Sequence, residues 1–310
     1  MILRAMIYCD LHMHSTASDG TDAPAALAHL AAGAGLGAIA LTDHDTTAGL
    51  EACAAACWAR GIAFCPGIEI SADRHAPELA HPGPSVEPGR GALHILGLFI
   101  RPDDPDLLAI ARELVAARDE RNPRIIAKLS DLGVRVTLEE VQAAAAEQTQ
   151  GHRIIGRPHI AQVMVRKGYA KTIEDAFSRY LGSGKPAYVR KDRLPPAEAI
   201  AAIHQAGGLA ILAHPIQLRC ADGDDLAYVL TRLKDAGLDG MEVLHCEHTP
   251  ADAQRFAALA RQLGLLASGG SDYHGTNKTV ILGSQHVPIS IFEDLQRAWR
   301  AKTNIPQARD

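Results

Sequence analysis

The sequence predicts an α/β fold, arranged as a distorted barrel of parallel strands with a small helical insertion. Short apolar runs alternate with Ala- and Leu-rich stretches about seven times along the chain, which favours a barrel or a large parallel sheet. The alternation stops once, between about 103 and 193, where the pattern is almost entirely helical. Clusters of His, Asp and Glu follow the apolar runs, as expected where a site is built at the carboxyl ends of strands.

The composition limits the classes of function. The chain has 310 residues, of which 47% are hydrophobic, and this length fits one barrel that carries an insertion. Its net charge of −5 gives no overall basic field, so we expect no binding to duplex DNA. No apolar run reaches the roughly 18 residues of a membrane span, and the first acidic residue comes too early for a signal peptide. We therefore expect a soluble, cytoplasmic protein that does not bind membranes.

The strands and helices are expected in a regular order. The first strand, MIYCDL, precedes the helix PAALAHLAAGAG, and the second strand, AIALTD, precedes the helix TAGLEACAAACWARG. A third strand is AFCPGIEI, and the later strands are GLAILAH, GMEVLH and LLASGGSD. Two helices should stop at glycines, in HQAGG at 204–208 and in RQLGL at 261–265.

The insertion is expected to begin with one long helical stretch, DPDLLAIARELVAARDERNPRIIAKLSDLG, followed by shorter ones. Pro123 should break or kink this helix near its middle, because proline removes a backbone donor and restricts the preceding residue. The predicted division is a barrel formed by 1–102 and 194–310, and a helical insertion at 103–193 that caps the active site. Residues 73–90, which contain several Pro and Gly, should form a surface loop.

Residues of metal-ligating types follow the predicted strands, whose carboxyl ends share one face in this fold class. They are Asp10, His12, His14, Asp19, Asp43, His44, Asp45, Glu69, His214, His245, His248, Asp272 and His274. His12 and His14 are two residues apart, so both imidazoles point the same way from an extended segment. A single histidine is usually a satisfied or exposed side chain, but a converging set without a metal would repel or stay unpaired. The set therefore predicts a metal centre.

His94 differs from the other candidates because it begins an apolar run instead of following one. The Gly-rich loop before it suggests that 92–98 folds back as an antiparallel hairpin on the segment after Glu69. That hairpin would bring His94 beside the Glu69 carboxylate, within reach of a shared metal.

Taken in order, six motifs resemble one family: DLHMHSTASDG, LTDHD, GIE, HILG, AHP and GGSDYHG. They are similar to the PHP (polymerase and histidinol phosphatase) family of metal-dependent phosphoesterases, within the wider amidohydrolase group, and the resemblance spans nearly the whole chain. Three further stretches, GRPHIAQ, RYLGSGKPAYV and EVLHCEHTP, resemble the branch of small cytoplasmic phosphatases that act on nucleoside 3',5'-bisphosphates. Some members of that branch also trim short RNA from its 5' end.

The resemblance implies a distorted (β/α)7 barrel that holds two or three divalent metal ions. Manganese is the first expectation, and iron or zinc are the alternatives, because mixed imidazole and carboxylate ligands suit all three. One metal would be held by His12, His14, Glu69 and Asp272. A second would be held by Glu69, His94 and His214. A third would be held by Asp19, His44 and His274, with Asp19 standing where many relatives have histidine.

The reaction that the resemblance implies is hydrolysis of a phosphomonoester of a small phosphorylated nucleotide. The first expectation is removal of the 3'-phosphate of a nucleoside 3',5'-bisphosphate to give the 5'-monophosphate, with short RNA as a further substrate. Paired cations can activate a water for attack on phosphorus, and no GxSxG or reactive-cysteine context suggests a protein nucleophile. His214 and His248 are both candidates to protonate the leaving oxygen, since imidazoles titrate near neutral pH.

Basic residues of the insertion are candidate substrate ligands, since charge-assisted hydrogen bonds suit phosphate. The candidates are Arg157, His159, Lys185 and, more weakly, Arg118, together with His248 from the barrel. The alternative for Arg157 is that it caps a helix, and the alternative for Lys185 is a solvated turn. Base stacking would rest on a single ring such as Tyr180 or Tyr188, because only 4% of the residues are aromatic.

Three other functions remain open from the sequence. The same activated water could attack a carbon–nitrogen bond, as in other amidohydrolases, or the substrate could be histidinol phosphate. A non-catalytic metal-binding module is the third, although such modules would be expected to have degenerate ligands and every motif position here is filled. A panel of phosphate esters and amides would separate these functions.

Overall fold

The computed structural model describes residues 8–80, 91–148, 155–189, 194–220 and 222–303. Its centre is one sheet of eight strands in the spatial order β7-β6-β5-β4-β3-β2-β1-β8. The strands are β1 Tyr8–Asp10, β2 Leu36–Leu41, β3 Ala63–Ala72, β4 Leu93–Leu98, β5 Leu209–Leu212, β6 Gly240–Leu244, β7 Leu266–Gly269 and β8 Val287–Pro288.

The sheet curves into a nearly closed barrel. Parallel pairs join β1, β2 and β3 on one side and β5, β6 and β7 on the other. Leu11 N donates to Gly269 O at 3.1 Å and His14 N donates to Tyr273 O at 2.8 Å, so the chain after β7 closes on the chain after β1. The predicted distorted α/β barrel is therefore confirmed.

Strand β4 runs antiparallel to both of its neighbours, β3 and β5. Its register pairs His94 with Ser71 and Leu96 with Glu69. The predicted hairpin is confirmed, and it reverses β4 within the series β1 to β7, which is otherwise parallel. As a result His94 lies near the amino end of its strand but at the same face of the barrel as the other strands' carboxyl ends. Strand β8 pairs antiparallel with β1 at the edge of the sheet.

Both faces of the sheet are buried, which explains why its strands are nearly continuous apolar runs. In β2, Ile39 and Leu41 belong to the core beneath the surrounding helices, while Ala38 and Ala40 belong to the other core, with Phe292 of the last helix. Most polar side chains of the site therefore lie near or beyond the strand ends.

Ten α-helices surround or extend the barrel in the described ranges. They are α1 Pro24–Gly33, α2 Leu50–Trp58, α3 Pro105–Asp131, α4 Leu138–Gln148, α5 Arg157–Arg166, α6 Ile173–Ala176, α7 Pro196–Gln205, α8 Gly223–Asp235, α9 Pro250–Leu263 and α10 Ile289–Thr303. The glycine stops predicted after α7 and α9 are confirmed: Gly207 and Gly264 have φ of 78° and 63°, which glycine adopts at low cost. None of the described helices is long and apolar enough to span a membrane.

Helices α3 to α6 come between β4 and β5 and have an apolar cluster of their own, which includes Ile125, Leu129, Ile160 and Met164. The first half of α3 packs instead on the barrel's outer core through residues such as Leu107. Helix α3 thus belongs to both cores. Residues 149–154 and 190–193 of the insertion lie outside the described ranges.

The prediction that Pro123 breaks α3 is wrong, because the helix runs without interruption from Pro105 to Asp131. Pro123 is exposed, and so is Asp119, whose carbonyl would have accepted the missing hydrogen bond. Solvent can hydrate that carbonyl, while the buried residues on the opposite side hold the helix together. The predicted loop is only partly described: a short 3-10 turn, Pro77–Leu79, lies in it, and 81–90 lies outside the described residues.

Candidate metal centre

The first predicted ligand set converges on one point. The Nε2 atoms of His12 and His14 are 3.2 Å apart. Glu69 Oε2 lies 3.4 Å from the first and 3.1 Å from the second. Asp272 Oδ1 lies 3.5 Å and 3.4 Å from the same two nitrogens. Two imidazoles and two carboxylates, from the segments after β1 and β7 and from within β3, are thus aimed at a common position.

The second set gathers around the other oxygen of Glu69. Glu69 Oε1 lies 2.8 Å from His94 Nδ1 and 3.0 Å from His214 Nε2. Glu69 therefore faces the first set with one oxygen and the second set with the other, which is the arrangement of a bridging carboxylate. His44 lies between the two sets, because its Nδ1 is 2.9 Å from Glu69 Oε2 while it also shares a candidate metal group with Glu69 and His94.

The third set is wider. His274 Nε2 lies 3.3 Å from Asp19 Oδ1, and His44 Nε2 lies 3.9 Å from Asp19 Oδ2. His14 also approaches Asp19 through its Nδ1, at 3.8 Å, and its ring stacks on that of His274 with centroids 4.0 Å apart. All four residues offer ligand atoms within 4.8 Å of one another.

Hydrogen bonds on the outer side of the rings leave the inner nitrogens as acceptors. His12 Nδ1 lies 3.1 Å from Glu242 Oε1, and His274 Nδ1 lies 2.8 Å from the carbonyl of Asp272. An imidazole that donates from Nδ1 presents an unprotonated Nε2, which is the form that binds a metal.

The donor set fits divalent cations. Among the described residues, His44 Nδ1, Glu69 Oε2 and His214 Nδ1 are buried without a hydrogen-bond partner. All three lie close to other candidate ligand nitrogens and oxygens. Buried polar atoms without partners are costly, and lone pairs that face one another repel. A bound cation removes both costs, and borderline metals such as Mn, Fe and Zn favour imidazole and carboxylate ligands together.

The charges in the site also favour ligation. Burial would raise the pKa of Glu69, but the imidazoles of His44, His94 and His12 outweigh it and hold the pKa well below its usual range. Burial lowers the pKa of His94 to about 3 and that of His274 to about 4. Burial would also lower the pKa of His12 and His14, but neighbouring carboxylates outweigh it, raising the pKa of His12 well above its usual value and that of His14 to about 9. A metal that binds these two imidazoles therefore displaces a proton from each, while His94 and His274 are already neutral.

Two predicted ligands, and the residue that follows a third, have unusual backbone angles. The φ values are 54° at Asp45, 28° at His214 and 54° at Asp272, all non-glycine residues. Positive φ costs energy for such residues and persists where the surroundings enforce it, typically at functional sites.

Comparisons with known proteins agree with this geometry. A family model described as "PHP domain" matches residues 10–203. The protein named 5'-3' exoribonuclease Rnm from Escherichia coli (strain K12) is 33% identical over 305 residues, which cover 98% of this chain and 97% of that protein. The chain belongs to the PHP-domain family.

Two further proteins are similar to this PHP chain over most of its length. The protein named 3',5'-nucleoside bisphosphate phosphatase from Chromobacterium violaceum is 35% identical over 270 residues, covering 87% of this chain and 88% of that protein. The crystal structure of a proposed metal-dependent phosphoesterase from Bifidobacterium adolescentis superposes with a TM-score of 0.80 at 30% identity, covering 93% of this chain and 95% of that one.

Glu242 of this PHP chain was not among the predicted site residues, and His245 was named among the candidate ligand types but assigned to none of the three ligand sets. Glu242 is fully buried in the middle of β6, where Oε1 faces His12 and Oε2 accepts from His214 N at 2.6 Å. His245 Nε2 lies 3.4 Å from Asp272 Oδ2. A sequence signal for Glu242 exists, because GMEVLH places one acidic residue inside an apolar strand.

Lys278 was also missed. Its Nζ lies 2.5 Å from Asp272 Oδ2, and about a third of its side chain is exposed. In GGSDYHGTNKTV this lysine follows turn residues and resembles a solvated surface position, so no pattern in the sequence marks it.

Arg118, a predicted substrate residue, lies beside the candidate metal centre of the PHP chain. Its Nε and Nη2 donate to Asp45 Oδ2 at 2.9 and 2.5 Å, and Nη2 also reaches Ser71 Oγ at 3.2 Å. Asp45 is fully buried and directly follows His44. The ion pair therefore joins α3 of the insertion to the barrel beside a candidate ligand.

The other predicted substrate residues of the insertion are placed differently. Arg157 Nη1 donates to Leu181 O at 3.0 Å, and its guanidinium lies within 5.6 Å of the ring centroids of Phe177 and Tyr188. His159 Nδ1 accepts from Gly156 N at 3.1 Å at the start of α5. Lys185 is exposed. These contacts make Arg157 and His159 part of the insertion's packing, and their contact with substrate stays a prediction.

His248 presents one nitrogen without a partner. Its Nδ1 lies 3.2 Å from Val243 O and therefore donates, while Nε2 is buried with no hydrogen-bond partner among the described residues. Burial lowers the pKa of His248, so its neutral form prevails near neutral pH. Its ring lies against His245, with centroids 5.3 Å apart.

Proposed function

We propose that this PHP-domain protein is a metal-dependent phosphoesterase that removes the 3'-phosphate of nucleoside 3',5'-bisphosphates and leaves the 5'-monophosphate. The observation that carries the proposal is the convergence of imidazoles and carboxylates on both oxygens of Glu69. The names of the similar proteins from Chromobacterium violaceum and Escherichia coli support a nucleotide or short RNA substrate.

Two or three divalent ions would be held by the three sets of side chains around Glu69, with Mn expected first and Fe or Zn as alternatives. The proposed ligands are His12, His14, Asp19, His44, Glu69, His94, His214, Asp272 and His274. Cations bound there would acidify a water and neutralise charge on the phosphoryl oxygens. In the hydrolysis, water adds to phosphorus, the bond from phosphorus to the 3' oxygen breaks, and that oxygen takes a proton.

The protein's own groups orient the ligands and supply further charge. Glu242 lies against His12 Nδ1 and thereby directs Nε2 at the proposed metal position, and it fixes the backbone at His214. Lys278 and His245 both contact Asp272 Oδ2, which leaves Oδ1 directed at His12 and His14. Rigid orientation of ligands by such contacts strengthens metal binding.

His214 and His248 were both candidates for proton transfer, and their positions assign them different roles in the proposal. His214 Nε2 faces the bridging Glu69, which suits a metal ligand. His248 has an open Nε2 and a lowered pKa, so it suits accepting a proton or a substrate hydroxyl better than donating.

The insertion is proposed to cap the site and to grip the second phosphate. Two contacts support the cap: the Arg118–Asp45 ion pair beside His44, and a hydrogen bond from Gln162 on α5 to Asn277. Lys185 is the proposed ligand of the second phosphate, because it is exposed and belongs to the same unit. Arg118, Arg157, His159 and His248 are further proposed substrate contacts.

The test is release of phosphate from adenosine 3',5'-bisphosphate with added Mn, and identification of the nucleotide product. We expect adenosine 5'-monophosphate from the native protein and a loss of at least about 100-fold in kcat/KM for Glu69→Gln, more than is typical of residues behind the ligands. Glu51→Gln, an exposed change on α2, is the matched control. Absence of phosphate release, or full activity in Glu69→Gln, would overturn the proposal.

A further inference from the structure

We infer that a cleft beside the metal centre binds the nucleoside downstream of the scissile phosphate when the substrate is a short oligonucleotide. This inference rests on the proposed function and deepens it, because a nucleoside bisphosphate lacks that second nucleoside. The cleft has a volume of about 390 Å³ and lies between the insertion and the chain after β7. Sites for small organic ligands commonly measure about 300–1,000 Å³.

One short segment, residues 274–279, separates the cleft from the metal centre. His274 and Lys278 face the metal side, where they contact Asp19 and Asp272. The remaining polar members of the segment line the cleft: Thr276, Asn277 and Thr279. Only the segment 274–279 would therefore separate a group bound in the cleft from the proposed phosphate position.

Two successive hydrogen bonds hold the segment 274–279 in place between the cleft and the metal centre. Gln162 Nε2 donates to Asn277 Oδ1 at 2.7 Å, and Asn277 Nδ2 donates to the carbonyl of Asp19 at 2.7 Å. Both amide side chains are largely buried, at 8% and 7% exposure. A ligand that touches this pair is thereby kept at a fixed distance from the proposed ligand Asp19.

The lining suits a nucleoside. Val165 and Ile173 offer aliphatic surface for a flat base, while the amides and threonine hydroxyls offer hydrogen bonds to its edges and to the ribose. Arg166, exposed at the cleft, suits the phosphate that joins the next nucleotide. None of the described lining residues is aromatic, so stacking does not supply the affinity and little base preference is expected.

Lys278 places a positive charge in the segment 274–279, between the cleft and the metal centre. Its ammonium reaches Asp272, and its side chain is a third exposed. Thr279, the next residue, lines the cleft. A phosphodiester lying across this segment would keep its negative charge near the lysine while its two nucleosides extend to opposite sides.

In the diester reaction water adds to phosphorus and the bond to the 3' oxygen of the first nucleoside breaks. That oxygen leaves as a hydroxyl with a proton, and the phosphate stays on the 5' oxygen of the downstream nucleoside. The downstream nucleoside is thus retained on the phosphate throughout the step, so its binding in the cleft would position the reacting phosphorus.

The experiment compares kcat and KM for adenosine 3',5'-bisphosphate and for a 5'-phosphorylated adenosine dinucleotide. Glu174→Trp and Thr279→Trp fill the cleft from its two sides, and both positions are exposed, so the fold should tolerate them. Glu113→Trp, at an exposed position of α3 outside the cleft lining, is the matched control.

We expect both cleft variants to lower kcat/KM for the dinucleotide by about tenfold or more, mostly through KM, while the bisphosphate value stays within about twofold. The control should change neither value. Equal losses on both substrates, no loss on the dinucleotide, or a native protein that hydrolyses only the bisphosphate would each overturn the inference. Failure of the native protein to hydrolyse the bisphosphate would instead overturn the proposed function on which it rests.

Discussion

At the scale of single residues, Glu242 controls the orientation of two candidate ligands without being aimed at the metal position. One oxygen lies 3.1 Å from His12 Nδ1 and the other accepts from His214 N at 2.6 Å. Burial would raise the pKa of Glu242, but the charge and hydrogen bond of His12 outweigh it and lower the pKa. A carboxylate that receives two donors in this way is difficult to replace.

Glu242→Gln should weaken metal binding by about 10- to 100-fold, as is typical of partners behind metal ligands. Glutamine can still accept from His12, but its amide NH2 then opposes the backbone N–H of His214. Metal titration of the protein, together with its free energy of unfolding, measures the effect. Glu247→Gln, an exposed change nearby, is the control. Unchanged metal affinity in Glu242→Gln would show that His12 is oriented by other contacts.

Lys185→Ala tests the proposed grip on the second phosphate. Because Lys185 is exposed, its loss should not affect folding. We expect KM for adenosine 3',5'-bisphosphate to rise about tenfold, the change for one charge-assisted hydrogen bond of roughly 1.5 kcal/mol, while KM for a simple phosphomonoester stays nearly constant. Steady-state kinetics on both substrates decide the matter, and equal changes would argue against a second phosphate pocket at Lys185.

At the scale of elements, α3 joins the insertion to the barrel. Its first half packs on the outer core of the barrel, its second half packs in the insertion, and Arg118 between them pairs with the fully buried Asp45. A buried carboxylate beside His44 needs such a partner, since an unpaired buried charge is strongly destabilising. Helix α3 is therefore fixed to the barrel before Pro123 and to the apolar cluster of the insertion after it.

Pro123→Ala should stabilise the protein by about 1 kcal/mol or more. Alanine restores a helical N–H donor and is favoured over proline by about 3 kcal/mol in helix interiors, against a smaller gain in unfolded-chain entropy. Denaturant unfolding at constant m-value measures the difference. A loss of stability would mean that the packing of α3 depends on a bend at Pro123.

Asp239 connects α7, α10 and the start of β6. It lies 2.8 Å from His204 Nε2 and 2.7 Å from Lys302 Nζ, and it accepts from Ala210 N at 2.8 Å. Burial would raise the pKa of Asp239, but these hydrogen bonds outweigh it and lower the pKa. A carboxyl whose pKa is lower in the folded state stabilises the fold above its unfolded pKa, near 3.9, and this contribution is lost as pH falls through the folded value.

Asp239→Asn should therefore lower the free energy of unfolding at pH 7, and the difference from the native protein should shrink as the pH falls below about 4. Urea unfolding across this range measures it. Asp294→Asn, an exposed change on α10, is the control and should show little difference at either pH. A difference that is constant with pH would show that Asp239 acts only through packing.

At the scale of the whole molecule, the sequence predicted the barrel and the candidate metal centre because both depend on local patterns. Apolar runs mark strands that are buried on both faces, and polar residues after them mark the face where the strands end. Even His94 could be placed, since the Gly-rich loop indicated a hairpin. The order of His12, His44, Glu69 and Asp272 along separate strands was enough to bring them together.

Features that depend on contacts between distant segments could not be predicted. Nothing in GTNKT distinguishes Lys278 from a solvated lysine, and the hydrogen bond between Gln162 and Asn277 joins elements more than a hundred residues apart. The uninterrupted α3 depends on packing at both of its ends, which outweighs the local effect of Pro123. Glu242 is the intermediate case. Its position inside an apolar strand indicated a buried acidic residue, but the sequence did not indicate that it contacts His12 and His214.

The most direct test of the account is the number of metal ions bound per chain, measured by elemental analysis of the native protein and of Glu69→Gln after loading with Mn and desalting. Since Glu69 directs one oxygen at each of two ligand sets, the account predicts two or three ions in the native protein and a loss of at least one in the variant. A native protein that holds no metal, or one that keeps full phosphatase activity after complete chelation, would contradict it.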